Sequence, residues 1–436
     1  MDYMLNLVRR HKAGEAVGIH AVCSAHPIVI EAAMEVTLAA GPAQPVLIEA
    51  TSNQVNQDGG YTGMTPSAFR DFVYAIADRV GLAHERVLLG GDHLGPNAWQ
   101  GEHADAAMAK AEVLIEQYVT AGFRKIHLDC SMSCVGDPVP LQDDVVAARA
   151  ARLCAVAERA WQAAGGEAPV YVVGTEVPVP GGAHEDLAEL SVTTPAAATQ
   201  TIAAHRAAFA AAGLDGAWLR VVGLVVQPGV EFDHHKVIDF LPERAVDLGR
   251  MIEDVPTLVY EAHSTDYQTA ANLAALVAGH FAILKVGPGA TFALRETLWA
   301  LADIEAAMAD DGKGSGFKDT VLDVMRAEPA QWQKYYDNEP RRARFDQQYS
   351  LSDRIRYYWP HPAIQAAQAR LLASLERTPP PLTLLSQYLP FQYDAVREGR
   401  LNNQPVDLLK EGVARVLRQY MAACMAGAAT KELEAC

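Results

Sequence analysis

Cysteine is scarce in this chain, with six residues among 436: Cys23, Cys130, Cys134, Cys154, Cys424 and Cys436. Spread this thinly, they exclude a disulfide-stapled fold. Cys130 and Cys134 stand close in sequence, but a structural zinc site takes four ligands, usually from two such pairs, and no second pair exists. Small buried residues at a strand end account for them. Positive charge is short as well: 36 lysines and arginines stand against 53 acidic residues, a formal net charge of −17. Such a surface repels nucleic acid and anionic lipid, so neither is expected as a partner. No apolar run reaches membrane-spanning length. The opening MDYMLNLVRRHKAGEA lacks the apolar core of a signal peptide, so a cytoplasmic location is expected. P-loop and kinase signatures are missing, and no Gly-rich dinucleotide fingerprint follows the first strand-like run.

What the chain does have is a rhythm. Eight short Val, Ile and Leu-rich runs recur, separated by alanine-rich helical stretches. They are AVGIHAV, PVLIEAT, RVLLGGDH, RKIHLDCS, PVYVVGTEV, LRVVGLVVQPG, TLVYEAHS and FAILKVGPG. Most are continuous rather than alternating, the pattern of parallel strands covered on both faces. Eight such βα units predict a TIM (β/α)8 barrel, with a doubly wound sheet as the alternative. The barrel is expected over 1–296. From there to 436 the chain reads as a helical extension packed on the barrel, its aromatics at Trp332–Tyr336 and Tyr357–Trp359 serving as core.

Polar residues close nearly every run. In order they are His20 with Ser24, Glu49 with Asn53, Asp92-His93, His127 with Asp129, Glu176, Gln227, Glu261 with His263, and Lys285. In a TIM barrel the chemistry sits at these C-terminal strand ends. Each residue alone has a plain structural explanation. Together they do not, because buried charges cost several kcal/mol unless paired or metal-bound. Two histidines with carboxylate or amide oxygens suit a divalent metal, zinc foremost, with manganese or magnesium as alternatives. His93 and His263 are the expected imidazole ligands, and Gln227 competes with Glu176 for the third position. Asp92 is the expected general acid/base, with Glu176 also assigned to catalysis. Glu49, Asn53 and Asp129 are expected to contact substrate. Gly287 opens a Gly-rich turn before a helix, where phosphate binds in many such barrels, and Lys285 would add charge there. A Schiff-base role for Lys285 is the alternative.

Longer blocks carry a resemblance. They include RHKAGEAVGIHAVCSAHP, VLIEATSNQVNQDGGYTGMTP, VLLGGDHLGPN, VYEAHSTDYQT and YSLSDRIRYYWPH, among others from about residue 8 to 420. With them the chain resembles the accessory subunit family of class II D-tagatose-1,6-bisphosphate aldolase, of bacterial galactitol and N-acetylgalactosamine catabolism. The resemblance implies a subunit that supports the activity and stability of a catalytic aldolase subunit, its expected partner, in an oligomer. It also implies an alternative, a stand-alone metal-dependent 4-epimerase of ketohexoses or their phosphates, such as tagatose and fructose 6-phosphate. The related aldolase barrel uses an Asp-His pair after its third strand and further histidines on later strands. Asp92-His93 and His263 match that pattern. Gln227 stands where a histidine would be expected, a departure that bears on aldolase competence.

Overall fold

A computed structural model describes residues 3–175, 190–310, 312–337 and 339–434. All eight apolar runs form strands: β1 (Ile19–Val22), β2 (Val46–Thr51), β3 (Val87–Leu94), β4 (Lys125–Leu128), β5 (Val170–Val173), β6 (Val221–Val226), β7 (Val259–Ala262) and β8 (Ile283–Val286). They pair in parallel in chain order and close between β8 and β1, where Ile19 faces Ile283. A (β/α)8 barrel is therefore the fold, and the doubly wound sheet is not formed. Turn chemistry starts several of the intervening helices. Thr65, Thr194 and Thr269 each cap a helix by accepting a backbone N–H of its first turn, and Pro27, Pro66, Pro195 and Pro242 each occupy a first turn.

The lumen is filled from below. An N-terminal helix, Tyr3–Lys12, puts Met4, Leu7 and Val8 against Val17, Ile19, Leu47, Val170, Val222, Val259 and Ile283. This plug seals the N-terminal end of the barrel with apolar side chains. Above it several inward positions turn polar two residues further along their strands, Leu47 giving way to Glu49, Val259 to Glu261 and Ile283 to Lys285, while Ala21, Val172 and Val225 stay apolar.

The helix after β8 runs on from Pro288 to Met308. Beyond it lie helices Phe317–Ala327, Pro340–Tyr349, Pro362–Arg377, Leu382–Tyr388, Pro390–Arg397 and Pro405–Glu434. The last of these packs on helices Pro27–Ala39, Ala270–Ala278 and Pro288–Met308. It returns to the very start of β1. The Gly18 N–H donates to the Cys424 carbonyl at 2.9 Å, and the Gly427 N–H to the Ala16 carbonyl at 2.9 Å. A Cβ at Gly427 would lie 2.5 Å from Ala16 backbone, so only glycine permits this approach. None of the described helices is long and apolar enough to cross a membrane.

His11 anchors the plug through Val17 O at 2.7 Å and His280 Nδ1 at 3.0 Å. Burial pulls its pKa down to about 4, whereas the unfolded imidazole titrates near 6.5. The unfolded chain therefore takes up a proton that the folded chain refuses. Stability from this site is complete above about pH 6.5 and is lost as pH falls toward 4, with a slope of up to about 1.4 kcal/mol per pH unit. The His11→Gln variant should show a flatter unfolding free energy than wild type between pH 6.5 and 4 in denaturant titrations. Parallel curves would contradict the assignment.

Candidate functional site

The lumen carries a floor of charge. Lys125 Nζ lies 2.7 Å from Glu49 Oε1 and 2.6 Å from Glu261 Oε2. Lys285 Nζ pairs with Glu49 Oε2, sits 2.9 Å from Asp92 Oδ1 and 3.8 Å from Glu261 Oε1. All five side chains are buried. Burial alone would lower both lysine pKa values, but the surrounding carboxylates hold both ammonium groups above the ordinary range. Gly90 makes room for this floor, since a Cβ there would stand 2.7 Å from Glu49 Oε1.

Above the floor three imidazoles converge. Ring centres of His93 and His263 are 5.0 Å apart, and both His93–His127 and His127–His263 are 5.3 Å apart. His93 Nδ1 bonds Asp129 Oδ2 at 2.7 Å, which turns Nε2 away from that carboxylate. His127 Nδ1 is 3.0 Å from Asp92 Oδ1, and its Nε2 is buried with no hydrogen-bond partner among the described residues. His263 Nε2 is 2.9 Å from Glu261 Oε1. Ligand atoms of Asp92, His127, Glu261 and His263 all lie within 4.8 Å of one another. His93 reaches its place at a cost, because its φ of 47° is left-handed, uncommon for a residue with a Cβ.

The electrostatics separate the roles. Burial pushes the Asp92 carboxyl up, yet His93, Lys285, His127 and His263 together hold it well below its usual value. Burial opposes a charge on His93, but Asp92 and Asp129 outweigh it and raise its pKa. His263 is pulled down to about 4 by burial and is therefore a neutral imidazole at neutral pH, the form a metal requires.

These residues fit a divalent ion. The carboxylates of Glu49, Asp92, Asp129 and Glu261 outnumber the two lysines, and even with a charged His93 the acids remain in excess in a dry site. Three imidazoles on one tetrahedral ion, with Zn–N of about 2.0–2.1 Å, place ring centres roughly 5 Å apart, which is the spacing seen. The carboxylate behind His93 is the usual second partner of a ligating histidine, and the orphaned His127 Nε2 needs an acceptor or a metal.

Each expected site residue except Glu176 has a definite place. Asp92, His93, His263, Lys285, Gly287 and Asn53 line one cavity at the C-terminal mouth, about 90 Å3 in volume. Glu49 and Asp129 do not line it: Glu49 is paired with the lysines below, and Asp129 holds His93. Gln227 does not join the cluster either. Its Oε1 accepts the N–H groups of Gly229 and Val230 at 2.8 and 3.0 Å, so the amide shapes its own loop. The Gly287 N–H is also engaged. It and the Gly289 N–H donate to Asp266 Oδ1 at 2.9 and 2.8 Å, which fills the helix N-terminus with a carboxylate. Glu176 lies outside the described residues.

Two contributions carry no assigned role in the sequence, although His127 is named there among the strand-end residues and Tyr357 among the aromatics. His127 stands two residues before Asp129 and shares its inward face, a period-2 signal. Arg356 and Tyr357, from the helical extension, also line the cavity. Their only signal was an aromatic cluster that reads equally well as core.

A family model, D-tagatose-1,6-bisphosphate aldolase subunit GatZ/KbaZ-like, matches residues 4–425. The chain belongs to this family. A solved structure described as a probable tagatose 6-phosphate kinase from Sinorhizobium meliloti 1021 is similar at 51% identity and a TM-score of 0.85, covering 93% of this chain and 100% of that one. The fructuronate-tagaturonate epimerase UxaE from Cohnella laeviribosi is more distant, at 11% identity and a TM-score of 0.49 over 94% of this chain and 82% of its own. A likeness that weak says nothing of the reaction here.

Elemental mass spectrometry on purified protein should find about one divalent ion per chain. His93→Ala, His127→Ala and His263→Ala should each abolish it. Asp129→Asn should weaken metal affinity about 10–100-fold, and Gln227→Ala should leave the metal content as in wild type. Retention of metal by His127→Ala together with its loss in Gln227→Ala would reverse the ligand assignment.

Proposed function

We propose that this member of the D-tagatose-1,6-bisphosphate aldolase subunit family is itself a metal-dependent enzyme. The reaction assigned to it is inversion of C4 in a ketohexose or ketohexose phosphate by retro-aldol cleavage and re-addition. The observation that supports this most is the convergence of His93, His127 and His263 above a charged floor whose three carboxylates outnumber its two ammonium groups. A bound divalent ion would polarise the ketose carbonyl and stabilise the enediolate.

The chain's own residues supply the proton transfers. Asp92 lines the cavity and is kept ionised by the Lys285 ammonium at 2.9 Å and by His93. As base it takes the C4 hydroxyl proton. The C4–O–H electrons form the aldehyde, and the C3–C4 bond electrons pass into the C1–C3 enediolate. After the aldehyde turns over, C3 attacks its other face and Asp92 returns the proton. The low pKa of Asp92 makes it a weak base, which sets the need for carbonyl polarisation. Lys285 is unsuited to Schiff-base chemistry, because its amine is locked as an ammonium among three carboxylates.

A second reading, a stabilising subunit for a catalytic aldolase subunit, is favoured by the family description and by exposed apolar side chains on the extension. Phe345, Tyr349, Leu382, Tyr388 and Phe391 are all exposed there. The kinase activity named for the Sinorhizobium structure is not carried over, since the sequence has no P-loop.

Purified metal-loaded protein should interconvert fructose 6-phosphate and tagatose 6-phosphate. Asp92→Asn should lower kcat about 10²–10⁴-fold, and borohydride with substrate should trap no adduct on Lys285. A metal-loaded wild type that turns over neither sugar, yet prolongs the half-life of the catalytic aldolase subunit, would establish the second reading instead.

A further inference from the structure

The Gly287 turn, where a TIM barrel commonly takes phosphate, holds Asp266 instead. Its carboxylate accepts both available N–H groups and is buried. A second anion at that spot would meet like charge at close range. An anionic substrate terminus must therefore find another cation.

Two cations line the metal-side cavity, Lys285 and Arg356. Lys285 is consumed by Glu49, Asp92 and Glu261. Arg356 is not paired with any described carboxylate. Its Nη1 donates to the Ser352 and Asp353 carbonyls, and its Nη2 donates to the Tyr357 hydroxyl at 3.0 Å. A guanidinium carries five N–H donors in a planar fork. The Nε–H and one Nη2–H are left without an acceptor among the described residues. The plane is fixed as well: the guanidinium carbon lies 4.5 Å from the Tyr357 ring centre, and Tyr357 meets Tyr61 edge-on at 4.8 Å. A half-buried, pre-oriented fork with spare donors is the recognised geometry for binding an oxyanion through two parallel bonds. Arg356 also borders a second cavity of about 380 Å3 beside the first, so the anion has room on its far side.

We propose that Arg356, carried by the helical extension, receives the anionic terminus of the substrate, a phosphate or a carboxylate on C6 of the ketose. This rests on the ketose reading above and adds to it the residue that selects charged over neutral sugars. It makes the extension part of the site: the barrel supplies the reacting centre, and the extension supplies the hold on the far end.

Calorimetric binding of fructose 6-phosphate, its 6-carboxylate counterpart and fructose tests this without requiring turnover. Wild type should bind one or both anionic ketoses about 10- to 100-fold more tightly than fructose, with inorganic phosphate competing. R356Q should erase the preference, and R356K, with a point charge in place of the fork, should restore part of it. The anion whose binding R356Q weakens more is the group the site is built for. Equal binding of fructose and both anions by wild type would overturn the proposal. So would an R356Q protein with wild-type melting temperature that keeps the preference. If R356Q does not fold, R356K and Y357F, which removes the hydroxyl bracing the fork, decide between the same outcomes. Tight, Arg356-dependent binding with no epimerisation would sink the reaction proposed above while leaving this assignment standing.

Discussion

Every other feature of the mouth depends on the pairing of two lysines with the carboxylates beneath it. Removing an ion from water costs several kcal/mol even after relaxation, so a buried charge survives only with partners in good geometry. Lys125 reaches two carboxylates and Lys285 three, all within the closed lumen. Those contacts tie β2, β3, β4, β7 and β8 to one register. Sliding any of these strands by one residue would swing its charge out against apolar helices.

The floor also sets the chemistry above it. Its carboxylates outnumber its ammonium groups, and the excess is offered upward toward three imidazoles. His93 is the member placed at greatest cost, in a left-handed backbone conformation and against Asp129. Strain of that kind persists where surrounding structure over-determines it, and it collects at functional sites. Here the over-determination comes from β3 itself, which runs two residues past β2, shifts register against β4 after Gly91 and delivers Asp92 and His93 side by side. An acid and an imidazole end that strand because one meets the floor's lysine and the other meets the imidazoles of His127 and His263.

Much of this was legible in the sequence. The eight runs named their own strands because parallel strands buried on both faces have no polar alternation to confuse them. Asp92, His93, His263 and Lys285 were legible for a similar reason: charged residues ending apolar runs need a shared explanation. What stayed hidden was direction. Glu49 and Asp129 sit at strand ends like the others, yet one joins the ion pairs below and the other turns behind His93. Gln227 and Gly287 show a second limit. Both have the right type at the right position, and both are engaged by neighbours in their own loops or by Asp266. Arg356 shows a third, since nothing local distinguishes an arginine among core aromatics from one that crosses to the barrel mouth.

The closing contact between the last helix and the start of β1 has a consequence for how this chain is made. Gly18 and Ala16 find their partners in Cys424 and Gly427, about 400 residues further along the polypeptide. A ribosome releases the first strand long before the helix that covers it exists. The barrel's opening edge and the apolar face of helix Pro27–Ala39 must then wait, exposed, until helix Pro405–Glu434 emerges. Closure waits on this helix, so a chain cut short anywhere in the extension before it leaves the quality-control machinery an unsealed barrel rather than a smaller working one.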